Sequence, residues 1–297
     1  MKVLITGSNG LLGQKLVQLL TQQDQVQLIA TAVGENRLPN KVGYTYESMD
    51  ITDPLAIQTV FDKHQPTHVI HTAAMTNVDQ CEEDPAGCEI LNIKAVDFLV
   101  QVCKKHDAFL CHLSTDFIFD GEKGPYDELA KPNPISIYGE SKLKAEEIVM
   151  QSGIRWSIAR TVLVYGIVAD MSRTNIILWV KKSLEDGKEI KVVTDQFRTP
   201  TLAEDLAMGC WLIIKQEAEG VFNISGKDFL TPYEMAIKTA DFFHLDKSLI
   251  QQADSSTFTQ KAKRPPRTGF DISKAQNLLG YEPHSFEEGI EVMSYGL

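Results

Sequence analysis

"KVLITGSNGLLGQKLVQLL", residues 2–20, runs an aliphatic, β-branched stretch into a glycine turn and out into apolar residues at helical spacing. The glycines fall at Gly7, Gly10 and Gly13. Between a strand and a helix, the first permits a tight turn and the second lets the backbone approach a pyrophosphate at the helix N-terminus. The third lets the helix pack closely on the strand. Asn9, Leu11 and Leu12 complete the same cradle. A plain turn would use the same glycines, so the trio alone is weak. Its strand–turn–helix setting makes dinucleotide binding the expectation.

A second strand is predicted in "VQLIATAV" (26–33). Sites specific for NAD usually end this strand with an acid that grips the ribose hydroxyls. Here Thr31 and Ala32 stand at the tip, followed by Glu35 and Arg37. Without the acid a 2′-phosphate is not repelled, and Arg37 can pair with it. The expectation is therefore NADP(H) over NAD(H); the alternative makes Arg37 a solvated loop residue. Asp50 and Ile51 in "MDIT" (49–52) follow the third strand, where an acid and an aliphatic side chain would hold the adenine.

Further strands are predicted in "THVIHTAA" (67–74), "AFLCHLST" (108–115), "RWSIARTVLVYG" (155–166) and "GVFNIS" (220–225), with a long helix in 88–106. Continuous apolar strands alternating with helices indicate a parallel sheet covered on both faces. The fold class is α/β: a Rossmann-type doubly wound parallel sheet with a smaller, mostly helical C-terminal substrate lobe. We place the Rossmann domain at 1–166 and the substrate lobe at 167–297, with sheet strands shared across the boundary. Ligands of such sheets bind at the C-terminal edge of the strands.

The 297 residues carry 40 acids against 29 Lys and Arg, a formal charge of −11, which disfavours nucleic acid as a partner. The longest apolar runs, such as "WLII" (211–214), are far short of the ~18 residues of a membrane span. "MKVLITG" enters a strand pattern at once, leaving no room for a signal peptide. Five cysteines without Cys-x-x-Cys spacing read as free, buried thiols of a cytoplasmic protein.

"IYGESKLKAEEIV" (137–149) sets Tyr138 and Lys142 on one side of a helix. Taken alone, the pair is an exposed i,i+4 contact. Beside a nicotinamide it gains a task, because carbonyl reduction needs a proton on oxygen as well as a hydride on carbon. A free tyrosine titrates near pH ~10. A neighbouring ammonium is expected to lower that value and to reach the nicotinamide ribose. Ser114 and Thr115, at the end of a strand, supply hydroxyls for the substrate oxygen.

"TGSNGLLG", Asn92 in "LNIKAV", "STDFIFDG" (114–121) and "YGESK" (138–142) together resemble the extended short-chain dehydrogenase/reductases, and most closely their dTDP-4-dehydrorhamnose reductase branch. The likeness continues through 72–85, 195–207 and 264–280, nearly the whole chain. It implies a nucleotide-sugar lobe over the Rossmann domain and NAD(P)H-dependent reduction of a nucleotide-linked 4-keto-6-deoxysugar, dTDP-4-dehydrorhamnose to dTDP-L-rhamnose. It makes Thr115, Tyr138 and Lys142 the catalytic trio, with Tyr138 the proton donor. Ala73, Ala74, Met75, Asn92, Ser114, Tyr138 and Lys142 would line the cofactor; Thr76, Val78, Thr115, Asp116 and Leu163 would line the sugar. Leu163 stands where those reductases carry a Trp, and "IVADMSRTN" (167–175) differs from their Gly/Asn-rich loop.

Arg198, Arg264 and Arg267 lie in loops of the C-terminal lobe, where they would clamp a diphosphate or simply be solvated. His68, His71, His106 and His112 lack metal-ligand spacing and are read as structural. A divalent ion between the subunits of a homodimer is compatible with the sequence but is localised by nothing in it. Two other functions remain open. One is a nucleotide-sugar epimerase or dehydratase with bound NAD, although no Glu follows Asp116. The other is a non-catalytic regulatory subunit of the same fold, against which the matched Tyr138–Lys142 pair counts.

Overall fold

A computed structural model describes residues 1–170 and 174–296. The "MSR" of the 167–175 stretch therefore lies outside the described residues. Strand β1 (Lys2–Thr6) stops at the glycine turn, from which α1 (Leu11–Leu20) departs. There follow β2 (Gln27–Ala32), β3 (Thr45–Ser48), α2 (Pro54–His64) and β4 (His68–His71). Two short helices, α3 (Val78–Glu83) and α4 (Pro85–Glu89), lead through a π-turn at Ile90–Lys94 into α5 (Ala95–His106). Then come β5 (Phe109–Thr115), α6 (Ile137–Gln151) and β6 (Trp156–Thr161).

Beyond residue 161 lie β7 (Val164–Tyr165), α7 (Ile176–Glu185), β8 (Ile190–Val193), β9 (Thr201–Leu202), α8 (Ala203–Gln216) and β10 (Gly220–Asn223). The chain ends with α9 (Pro232–Phe242), β11 (Ile250–Ala253), α10 (Ser273–Leu279) and α11 (Phe286–Ser294).

Seven strands form one parallel sheet in the order β10-β6-β5-β4-β1-β2-β3. Alternate residues serve opposite faces. Val3, Ile5, Phe109 and Cys111 pack with Leu16 of α1 and Leu206 of α8. Leu4, Val69, Leu110 and Ile158 pack with Phe61 of α2, Leu99 of α5 and Ala145 of α6. The Rossmann layers thus take α8 and β10 from beyond residue 166. The remaining lobe is built on Tyr165, Ile177, Met235 and Phe286, and on Val180, Ile190, Ala236 and Ile250. It contains a parallel β8–β11 pair as well as helices.

The long strand predicted over 155–166 is interrupted. β6 ends at Thr161, and Leu163 takes a positive φ of 36° before β7 begins. A left-handed backbone is uncommon for a branched side chain and is often kept at a functional edge.

Candidate active site at the strand ends

The glycine turn is close-packed as the sequence demands. Gly7 has φ 71°, and a Cβ there would lie 2.8 Å from Thr72 Oγ1 and 2.9 Å from Ala73 N. A Cβ on Gly13 would come within 2.2 Å of Gly7 O. The buried Oγ of Ser8 in the turn, Oε1 of Gln14 on α1 and Oγ of Ser114 at the end of β5 find no partner among the described residues. Unpartnered buried polar atoms are costly, and around a backbone cradle they suit a polar ligand. The cradle therefore fits a dinucleotide.

Asn9 ties the loop after β2 to this turn. Its Nδ2 donates to Glu35 O at 2.9 Å, and its Oδ1 accepts from Arg37 N at 3.0 Å. Tyr46 braces the same loop by donating to Gly34 O at 2.8 Å. Arg37 is exposed, whereas Thr31 is buried and donates to Ile5 O at 3.0 Å, so its hydroxyl has no reach to a ribose. Asp50 accepts from the backbone N–H and the hydroxyl of Thr52, both at 2.8 Å, beside buried Ile51.

Asn92 in the π-turn clips the Met75 backbone. Its Oδ1 accepts from Met75 N at 2.8 Å, and its Nδ2 donates to Met75 O and to Ser141 Oγ, both at 3.0 Å. All its polar atoms are engaged, so Asn92 shapes the Ala73–Ala74–Met75 wall rather than presenting a free amide.

Helix α6 starts at a Ser136 cap, which accepts from Gly139 N at 3.2 Å. A Cβ on Gly139 would lie 2.2 Å from Phe117 O, so glycine lets the helix press against the tip of β5. That approach brings Tyr138 to Thr115, with which it shares a hydrogen bond, and into a T-shaped contact with the Phe117 ring, centroids 5.7 Å apart. Tyr138 is buried at 7% exposure. Burial pushes its phenol well above the ordinary value; the Thr115 hydrogen bond offsets this in part, while Asp116, Cys81 and Cys88 add to it.

The lowering expected from Lys142 is thus not the outcome of this arrangement. Lys142 Nζ lies 3.3 Å from His112 Nε2, and its own buried position lowers its pKa to about 8, against support from Glu146 and Cys88. For reduction, a phenol that stays protonated is the form required.

The groups expected around a sugar are mostly engaged with one another. Thr115 Oγ1 donates to Asp116 Oδ1 at 3.1 Å, Thr268 donates to Asp116 Oδ2, and Arg198 Nε stands 3.8 Å away. Burial raises the Asp116 pKa despite these partners. Arg198, expected at a diphosphate, is buried; its Nη1 and Nη2 donate to Phe197 O at 2.7 Å, Pro266 O at 3.1 Å and Pro265 O at 2.7 Å. Arg264 forms a bidentate pair with Asp79 at 2.8 and 2.7 Å, which ties the C-terminal lobe to α3. That pair lowers the Asp79 pKa to about 2. Arg267 lies over the Phe197 ring at 4.5 Å and the Phe229 ring at 5.1 Å.

Thr76 and Leu163 are exposed, and Val78 is half-buried at the start of α3. Sequence reasoning missed a groove of about 400 Å³ in the C-terminal lobe, lined by Trp179, Phe258, Ile176, Val192 and Lys191 among others. Its available signal was a pair of aromatics at exposed positions, Trp179 on α7 and Phe258 in a polar stretch. Among the described residues, no cluster of His, Cys, Asp or Glu could hold a metal ion, and no helix is long and apolar enough to cross a membrane.

A seven-stranded parallel sheet, a Gly-x-x-Gly-x-x-Gly turn and a Thr–Tyr–Lys set at the strand ends define a protein of the short-chain dehydrogenase/reductase type. The chain belongs to the RmlD substrate binding domain family, whose sequence model matches residues 1–295. It is 30% identical over 295 residues to the probable low-salt glycan biosynthesis reductase Agl14 of Haloferax volcanii, covering 99% of this chain and 97% of that one. It is 29% identical to methionine adenosyltransferase 2 subunit beta of Bos taurus, covering 98% and 86% of the two chains. Among solved structures, dTDP-4-dehydrorhamnose reductase of Bacillus anthracis in complex with NADP superposes with a TM-score of 0.85 at 27% identity, covering 100% and 99% of the two chains.

Proposed function

We propose that the chain is an NADPH-dependent reductase of a nucleotide-linked 4-keto-6-deoxysugar, with dTDP-4-dehydrorhamnose as substrate and dTDP-L-rhamnose as product. The observation that carries this reading is the hydrogen-bonded Thr115–Tyr138 pair, with Lys142 one turn along α6, beside a cradle that fits a dinucleotide. A bound nicotinamide supplies the hydride. Thr115 orients the keto oxygen, Tyr138 hands it the phenolic proton, and the Lys142 ammonium steadies the phenolate left behind. The groove at Trp179 and Phe258 suits a nucleobase between aromatic and aliphatic side chains. The Rossmann half then serves the cofactor and the segment after residue 166 mainly the sugar nucleotide.

The test is a screen of dTDP-, GDP- and UDP-linked 4-keto sugars for NADPH oxidation. Oxidation with a dTDP-linked 4-keto-6-deoxysugar is expected. A stoichiometric NAD retained on the purified protein, without net NADPH oxidation, would transfer the reading to an epimerase or dehydratase. The likeness to methionine adenosyltransferase 2 subunit beta supports a second reading, a subunit that binds the cofactor without turnover. Cofactor binding, no reaction with any keto sugar and a tight protein partner would establish that reading instead.

The cofactor preference is separately testable. The strand end lacks an acid, and Arg37 is presented on a loop held by Asn9 and Tyr46. A charge-assisted pair at this exposed position falls at the low end of its range, about tenfold in affinity. Fluorescence titrations should show NADPH binding about tenfold more tightly than NADH, with Arg37→Ala removing most of the difference. Equal wild-type affinities, or a preference that survives the substitution, would contradict this role for Arg37.

A further inference from the structure

Thr6, His71 and His112 lie side by side across β1, β4 and β5, paired in register Thr6 with His71 and His71 with His112. They sit on the sheet face covered by α6. Their hydrogen bonds decide which nitrogen carries each proton. Thr6 Oγ1 accepts from Thr72 N at 3.2 Å and Ala73 N at 3.3 Å, so its own hydrogen goes to His71 Nδ1 at 2.7 Å. His71 therefore carries its proton on Nε2.

Lys142 as an ammonium has donors only. At 3.3 Å it donates to His112 Nε2, which assigns the His112 proton to Nδ1, a buried nitrogen with no hydrogen-bond partner among the described residues. The two imidazoles stack with centroids 5.3 Å apart and planes 26° apart. Burial and the Lys142 charge keep both neutral, His71 down at about 3 and His112 well below its ordinary value. A neutral ring can accept from the ammonium; a charged one could not.

We propose that His112 is a positioning residue, whose neutral Nε2 anchors the Lys142 ammonium one turn from Tyr138 while the Thr6–His71 pair holds the ring from behind. The proposal rests on the reading of Tyr138 and Lys142 as acid and partner. The other groups facing Lys142 are Glu146 on its own helix, Cys88 from α4 and, beyond His112, His71; Asp116, Cys81 and Cys88 face Tyr138.

Two substitutions and one spectrum test it. His112→Met removes the acceptor at similar bulk, and His112→Gln keeps an oxygen near the place of Nε2. At saturating NADPH and keto sugar, His112→Met should lose about tenfold in kcat, and the alkaline limb of its pH profile should begin about one pH unit lower, because an unanchored ammonium releases its proton more readily. His112→Gln should keep the wild-type limb and a kcat within about threefold. Equal losses in both variants, with the limb unmoved, would make His112 a packing residue only and end the proposal.

Nitrogen-15 histidine spectra of the wild-type protein read the same contact without turnover. The expected tautomers are Nδ1–H for His112 and Nε2–H for His71; a proton on His112 Nε2 would overturn the assignment, and the spectrum decides if either variant fails to fold. Because the spectrum is independent of the sugar, failure of the substrate reading and failure of the positioning role remain distinguishable.

Discussion

Tyr138→Phe is expected to lose about 10²–10⁴-fold in turnover with keto sugar, while binding NADPH as tightly as the wild type. The loss should be confined to chemistry for three structural reasons. The ring is buried and packs edge-on to Phe117, so phenylalanine fills the same space. Thr115 keeps Asp116 Oδ1 as acceptor and Phe117 N as donor after the phenol is gone, so the tip of β5 stays satisfied. The cofactor cradle is built by the glycine turn and the Asn9-tethered loop, neither of which uses the hydroxyl.

Raising the pH should not rescue the variant, since phenylalanine has no proton to give at any pH. In the wild type, burial keeps the phenol protonated, so the alkaline limb belongs to Lys142, lowered to about 8. The ammonium is present below that value and lost above it, and turnover should fall as pH rises through about 8. Steady-state NADPH oxidation and a fluorescence titration measure the two halves of the prediction. A variant that turns over like the wild type would remove Tyr138 from the chemistry.

The features readable from sequence are those fixed by local spacing. Gly7, Gly10 and Gly13 announce the turn because three close approaches occur within seven residues, and Tyr138 and Lys142 share a helix face because of its period. Partners remote in sequence were not readable. Arg264 meets Asp79 across 185 positions, Thr268 meets Asp116 across 152, and nothing near Arg198 announces that backbone carbonyls would occupy its guanidinium.

The same distinction explains the tyrosine. Its neighbour Lys142 was visible, but the burial that raises its pKa and the His112 acceptor that engages the lysine arise only when β5 and α6 pack together. His71 and His112 looked structural because neither has metal-ligand spacing. Their relation to Lys142 is a matter of strand register, which a single sequence does not print.

Register also sets the second large effect, at Arg160. This β6 residue donates from Nε to Glu146 Oε1 at 3.0 Å and from Nη2 to Oε2 at 2.7 Å, joining the sheet to α6 with both side chains buried. Arg160→Met is expected to cost about 3–5 kcal/mol of folding stability, because it leaves the Glu146 carboxylate buried without its cation. A lower denaturant midpoint at unchanged slope is the measurement.

The double variant Arg160→Met/Glu146→Leu should recover most of the loss, since replacing both partners with apolar groups removes the stranded charge. Its pH profile then separates fold from chemistry. Glu146 lies one turn beyond Lys142 on α6, and its charge supports the buried ammonium. With stability restored but that support gone, the alkaline limb should begin at lower pH than in the wild type. A double variant as unstable as Arg160→Met would show that the paired hydrogen bonds, and not the stranded carboxylate, account for the cost. A stable one with an unmoved limb would show that Glu146 serves the junction of β6 and α6 and leaves Lys142 to His112.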